Sequence, residues 1–281
     1  MHYPVVDPII IAFGPLALRW YGLMYILGFA AVYLLGKWRI NRRPNTLSGS
    51  WNTEQLSDLV FYGAMGAILG GRVGYVVFYA FDRFAADPLY LLRVWEGGMS
   101  FHGGFLGVLV AMVLFGRRTE KDFLTVTDFL APLCAVGLGC GRLGNFINVE
   151  LPGRITESGL GLVFPCRAVT DLNPMCFGAW ESVARHPSSL YQAFTEGVLL
   201  FCLLWWLALT PKPKGTLSGA FLVAYGSFRF LTEFFRSPDA HLGFILFEFL
   251  SMGQLLSLPM IVAGVWLLRW SQAARSPAAK I

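Results

Sequence analysis

Tyr225, Arg229 and Glu233 fall four residues apart in the run Tyr225-Gly-Ser-Phe-Arg229-Phe-Leu-Thr-Glu233-Phe-Phe-Arg236. At that spacing the three side chains share one face of a helix. The surrounding sequence is apolar, so a face of phenol, guanidinium and carboxylate has to line a polar interior rather than meet lipid. A second run, Gly141-Arg142-Leu-Gly-Asn145-Phe-Ile-Asn148-Val-Glu150-Leu-Pro-Gly153, sets another arginine at the end of an apolar stretch. Arginine keeps its charge in every environment, and its planar fork suits paired hydrogen bonds to a phosphate. Two guanidinium groups at such depth therefore point to an anionic group as ligand. The competing explanation for Arg229 is an ion pair with Glu233 that only joins helices.

His102, in Met99-Ser-Phe-His102-Gly103-Gly104, begins another apolar run. Its titration range suits a general base near neutral pH, although a lone histidine is more often a packed structural residue. The two glycines after it permit a close approach, and a substrate is one candidate for that approach. Tyr21, in Trp20-Tyr21-Gly22, adds a phenol that an interfacial aromatic belt would also explain. Arg72 lies inside an apolar run; its expected partners are Asp58 or Asp128, in a structural ion pair. Arg19 sits near a helix end, where it can reach the interface.

The elements that hold these residues follow from composition. The chain has 281 residues, of which 56% are hydrophobic and 14% charged. A soluble domain carries about 25% charged residues, and the deficit is what lipid-facing surface requires. About seven runs reach the length a membrane helix needs. They extend from Leu16 to Gly36, Leu56 to Phe81, Met99 to Gly116, Phe123 to Asn148, Leu190 to Leu209, Leu217 to Phe235 and Met252 to Trp270. The short loops after the first, third, fifth and seventh runs hold 12 of the 22 basic residues, among them Arg39, Arg117, Lys212 and Arg275. By the positive-inside rule this puts the N-terminus outside and the C-terminus in the cytoplasm. The net charge of +5 is thus a topology signal. No basic and aromatic groove of the nucleic-acid kind accompanies it.

The segment 150–189 is the only long hydrophilic insertion, and its Leu162, Val163, Phe164, Phe177 and Trp180 suggest a small folded head on the outer side. Cys166 and Cys176 flank a polar loop there; in an oxidising compartment they could pair, and free thiols are equally open. The N-terminus lacks a basic stretch and cleavage site, so the first membrane helix is expected to act as an uncleaved signal. Gly66, Gly70 and Gly74, and Gly137 with Gly141, are spaced for close helix packing inside the molecule. Gly139-Cys-Gly141-Arg-Leu-Gly144 matches a dinucleotide fingerprint in letters only, since that motif needs a preceding strand. The four histidines (2, 102, 186 and 241) are scattered, and neither a metal site nor an organic cofactor is indicated.

On the run from Gly141 to Gly153, on Trp20-Tyr21-Gly22, Ser100-Phe-His102-Gly103-Gly104, His186-Pro187-Ser188 with Tyr191, and Tyr225-Gly226 through Arg229, Glu233 and Arg236, the chain resembles the bacterial prolipoprotein diacylglyceryl transferases. The resemblance covers nearly the whole chain, apart from about Ile155 to Arg185. Arg19 stands where some members carry histidine. The resemblance implies transfer of a diacylglyceryl group from phosphatidylglycerol to the lipobox cysteine of a prolipoprotein, with release of glycerol phosphate. It implies a bacterial inner-membrane location with the N-terminus periplasmic.

Set on these residues, that chemistry gives Arg142 and Arg229 the phosphate, and His102 the thiol proton. Tyr21, Asn145, Glu150, Tyr225 and Glu233 orient the head group or the arginines, and Gly153 and Arg236 shape the outer rim. The expected fold is an all-α polytopic membrane protein, a single transmembrane domain over residues 1–281. It has about seven spanning helices, with a periplasmic head at 150–189 between the fourth and fifth. A transporter and a lipid-binding scaffold are the rival classes; covalent product separates them from an enzyme.

Overall fold

A computed structural model describes residues 1–4, 6–13, 16–166, 180–237 and 250–274. Cys176, His241, Arg167, Arg275 and Lys280 lie outside the described residues. The architecture is mostly helical, and among the described residues six helices are long and apolar enough to cross a bilayer. They are α1 (Trp20–Arg42), α2 (Thr53–Tyr79), α4 (Phe101–Arg118), α5 (Phe123–Ile147), the continuous helix Ser188–Leu207, and α9 (Met252–Ala273). A short helix α3 (Phe81–Ala86) follows α2. The helix Ser188–Leu207 is built of α6 (Ser188–Gln192), a π-helical segment Ala193–Leu199 and α7 (Leu200–Leu207). The remaining expected run forms α8 (Thr216–Thr232), 17 residues long, extended by a 3₁₀ turn Glu233–Phe235. At 1.5 Å per residue α8 rises about 26 Å, slightly less than a hydrocarbon core.

The start of the first expected span is corrected. Leu16–Arg19 is not helical but a strand, β2, paired antiparallel with β1 (Ile9–Phe13). Three successive isoleucines favour extended backbone. The Asp7 carboxylate accepts the Ile9 N–H at 2.9 Å, and the Trp20 N–H reaches the Pro8 carbonyl at 3.1 Å, so the hairpin closes just where α1 begins. The other helix starts are capped as their sequences suggest. Asn52 accepts from the Gln55 N–H, Ser100 from Gly103, and Ser251 forms a capping box with Gln254.

The residues group into two compact units, 1–32 with 130–281, and 33–129. In the second unit, α2 and α4 meet on glycines. A Cβ on Gly66 would lie 2.6 Å from the Gly107 carbonyl oxygen, and one on Gly74 2.7 Å from the Gly103 Cα. Backbone-to-backbone contact of this kind needs small residues on both helices. The glycines therefore pack helices within the molecule, and Gly103, next to His102, is occupied by α2 rather than left open.

Arg72 does not pair with Asp58 or Asp128. It is buried, donates to the carbonyls of Leu91 (3.1 Å), Tyr90, Gly97 and Gly98, and its guanidinium lies 4.6 Å from the Tyr90 ring centre. Five fixed N–H groups suit a cluster of carbonyls better than one carboxylate does. Arg39, read from sequence as a loop charge, is also buried, donating to the Phe129 carbonyl at 2.8 Å.

In the first unit, Ala135, Leu200 and Leu204 form a core with Leu138, Phe201, Phe221, Tyr225 and Phe228, which packs α5, α7 and α8 together. Met1–Tyr3 runs beside Leu162–Phe164, and Tyr3 seals the seam with its hydroxyl on the Phe146 and Ile147 carbonyls. The described part of the insertion pairs with itself, Ile155 and Leu162 with Arg185 and Pro165 with Trp180. Cys166 is disulfide-bonded.

The carbonyl cluster on Arg72 gives a test. Arg72→Leu leaves several buried carbonyls without a donor and is expected to cost about 3 kcal/mol or more. Thermal unfolding in detergent should show a clear drop, and Arg72→Lys should restore only part of it, because an ammonium cannot span the same acceptors.

Candidate functional site

A contact between glycines makes the site possible. A Cβ on Gly197 would lie 2.7 Å from the Gly139 Cα, so α5 and the π-helical segment touch backbone to backbone. Three residues beyond Gly139 on α5 stands Arg142, and one residue before Gly197 stands Glu196. The wider turn of a π segment, a feature frequent at functional sites, carries Glu196 inward. Its side chain has no solvent exposure.

Glu196 binds two arginines. The Arg142 Nε donates to Glu196 Oε2 at 3.0 Å, and the Arg229 Nη1 lies 3.7 Å from Glu196 Oε1. Arg229 continues to Glu233 at 2.9 Å, and Glu233 to Arg236 at 3.2 Å. The result is a run of alternating charge, Arg142–Glu196–Arg229–Glu233–Arg236, almost entirely buried in apolar helices. The Tyr225 hydroxyl lies close to the Arg142 guanidinium. Glu233 also rests on the first turn of α9, where a Cβ on Gly253 would lie 2.8 Å from its carboxylate carbon. The positive end of a helix favours an anion there.

The Arg229–Glu233 pair considered from sequence exists, but it is one link in a longer run. Glu196 is the residue that sequence reasoning missed. A signal was present: it is the only charged residue in the run Leu190 to Leu209.

A second group lies where α5 ends. Asn145 Nδ2 donates to Glu150 Oε2 at 2.7 Å, and Asn148 Nδ2 to Oε1 at 3.1 Å, so two amides hold one carboxylate. Tyr21 lies close to Asn145, meets the Tyr25 hydroxyl at 3.4 Å, and packs on Gly144, where a Cβ would fall 2.8 Å from its ring. Glu150 is flanked by Val149 and Leu151 at φ of 56° and 58°. Non-glycine residues in this region cost about 1–3 kcal/mol each, and such strain gathers at functional sites. The hydroxyls of Ser189 and Ser188 hold the turn, on the carbonyls of Glu150 and Leu151.

Gly153 ties this turn to the charge run. It bridges Arg236 in antiparallel fashion and donates its N–H to the His186 carbonyl at 3.0 Å. Arg154 Nε donates to the Arg236 carbonyl at 3.0 Å. Tyr21, Arg142, Asn145, Glu150, Gly153, Tyr225, Arg229, Glu233 and Arg236 therefore all belong to the first unit. His102 belongs to the second, as an outward-facing residue in the first turn of α4 whose ring meets Phe101 edge-on. The described residues contain no group of His, Cys, Asp or Glu suited to a metal ion.

This arrangement can hold an anion. Buried guanidinium groups with fixed carboxylate partners keep further N–H groups for phosphate oxygens. Comparison with known proteins agrees with that chemistry. The family described as prolipoprotein diacylglyceryl transferase matches residues 8–270. A phosphatidylglycerol–prolipoprotein diacylglyceryl transferase of Marinomonas sp. (strain MWYL1) is 51% identical over 268 residues, covering 95% of this chain and 94% of that protein. The transferase of the same name from Vibrio cholerae serotype O1 (strain M66-2) is 50% identical over 271 residues, covering 96% and 93%. The one from Escherichia coli O1:K1 / APEC is 48% identical over 286 residues, covering 99% and 97%.

Gly153 supplies the test. A Cβ there would lie 2.6 Å from the Phe235 carbonyl oxygen and 2.8 Å from the His186 Cβ. Gly153→Ala should part the bridge to Arg236, lower the melting temperature by an amount worth about 1–3 kcal/mol, and reduce activity. Gly159→Ala, which meets nothing within 4 Å, should leave both unchanged.

Proposed function

The chain belongs to the prolipoprotein diacylglyceryl transferase family, and from that premise we propose that it transfers the diacylglyceryl group of phosphatidylglycerol to the lipobox cysteine of prolipoproteins. The observation that carries the proposal is Glu196, a buried carboxylate shared by Arg142 and Arg229 among apolar helices. An anionic lipid needs a cationic site open to the bilayer, and a site of this composition provides one.

In this reading Arg142 and Arg229 grip the phosphate of phosphatidylglycerol. The incoming cysteine sulfur attacks the glyceryl carbon that bears the phosphate ester. A C–S bond forms, the C–O bond breaks, and the electron pair leaves with glycerol phosphate. The two guanidinium groups stabilise the charge that grows on the departing phosphate. A thiol is a poor nucleophile until ionised, so a base is required, and His102 is the residue assigned to take the thiol proton. Tyr225 and Glu233 fix the arginines, Tyr21, Asn145 and Glu150 orient the head group, and Gly153 and Arg236 form the rim. The protein's own cysteines take no part.

The seven spans, with α8 as the sixth, set the N-terminus on the periplasmic side and the C-terminus in the cytoplasm of a bacterial inner membrane. Residues 150–189 form a periplasmic head within a single transmembrane domain. The basic loops support that orientation, as does the disulfide at Cys166, which an oxidising compartment favours.

The experiment is transfer by purified protein in detergent, with phosphatidylglycerol and a lipobox peptide, read by mass spectrometry. Wild type should modify the cysteine. Arg142→Ala and Arg229→Ala should each lose on the order of a hundredfold or more in turnover. His102→Gln should fall severely, and near-normal turnover would remove His102 from the role of base. Absence of modified peptide with folded wild type would refute the proposal.

A further inference from the structure

Gln192 is a fully buried side chain, and neither its amide nitrogen nor its amide oxygen has a hydrogen-bond partner among the described residues. Leaving one such group unpaired costs about 1–3 kcal/mol, and native proteins rarely keep one without a reason. Gln192 lies four residues before Glu196 on the same continuous helix. The π-helical segment begins between them, at Ala193, so the two side chains lie about one turn apart along the helix. Its segment, α6, packs against α8, the helix that carries Arg229. The orphaned amide thus stands one turn from the carboxylate that joins the two arginines.

The chemistry of the amide selects its partner. A carboxamide offers two donors and an acceptor that takes two bonds. The matching group both donates and accepts, which is what a hydroxyl does. An ammonium group only donates, and would add positive charge beside three arginines. A second phosphate would be better met by arginine.

Building on the reading of Arg142 and Arg229 as the phosphate site, we propose that Gln192 binds the free hydroxyls of the donor's glycerol head group and so sets donor specificity. With the phosphate on the arginines, a three-carbon polyol reaches about one helical turn. That is the distance from Glu196 to Gln192. Gln192 is then a specificity residue that contacts substrate beyond the phosphate.

The test compares Gln192→Leu with wild type on two donors. One is phosphatidylglycerol. The other is phosphatidylpropanol, which has the same phosphate and acyl chains but no head-group hydroxyl. The readout is kcat/KM for transfer to a lipobox peptide, or the competitive inhibition constant against phosphatidylglycerol if the analogue turns over too slowly. The variant should lose about five- to tenfold with phosphatidylglycerol, the worth of a neutral hydrogen bond, and nothing with phosphatidylpropanol. Its melting temperature without lipid should hold or rise, because leucine removes an unpaired buried amide without opening a cavity. Equal losses on both donors, or a lower melting temperature, would make Gln192 structural and overturn the proposal. Unchanged use of phosphatidylglycerol would overturn it as well. Failure of wild type to transfer from phosphatidylglycerol at all would instead remove the donor reading, and this proposal with it.

Discussion

A carboxylate that water cannot reach has to be met by cations or give up its charge, and Glu196 is met by two. Its side chain is wholly buried, yet Arg142 and Arg229 approach its two oxygens from different helices. Much of the first unit can be read as the means of sustaining that contact. Gly139 and Gly197 let the backbones close on each other. The π-helical segment turns Glu196 inward, and the Leu200 and Leu204 core fastens α7 to α5 and α8. Glu233, Arg236 and the start of α9 extend the same alternation of sign.

Such a run does more than neutralise. Each arginine is fixed on a carboxylate before any ligand arrives, so little side-chain entropy remains to be lost on binding, which is what preorganisation means physically. The turn around Glu150 belongs to the same design. Two residues at positive φ are held by serine hydroxyls from α6 and by a bridge from Gly153 to Arg236. A motif that reads as one line of sequence from Arg142 to Gly153 is thus a helix end, a strained turn and a strand-like bridge folded back on the charge run.

The sequence made the broad plan legible because lipid imposes simple rules. Long apolar runs announce helices, and arginines inside them announce a polar interior, so Tyr225, Arg229 and Glu233 stand out by their spacing and Arg142 by its place at the end of an apolar run. What was not legible depended on distance in the fold. Glu196 gains its meaning from Arg142, 54 residues earlier in the chain. Arg72 was given carboxylate partners because opposite charges can be counted, whereas carbonyls, which every residue has, cannot. Gly103 looked free for a substrate because its neighbour across α2 is invisible in one dimension. The Leu16 to Arg19 stretch is as apolar as a helix start, and only pairing with Ile9–Phe13 decides that it is a strand. Gln192 gave no signal at all, since a glutamine beside a tyrosine in a helix is ordinary until its burial is known.

The role proposed for Glu196 is to hold the two arginines, through its charge, in the geometry that transfer needs. Steady-state transfer kinetics of Glu196→Gln tests it most directly, because the substitution keeps shape and removes charge. If the account holds, kcat falls by about tenfold or more, while KM for phosphatidylglycerol stays level or drops, since the freed arginines still attract the phosphate but no longer align it. Wild-type kcat and KM in the folded variant would contradict the account and reduce Glu196 to a helix contact.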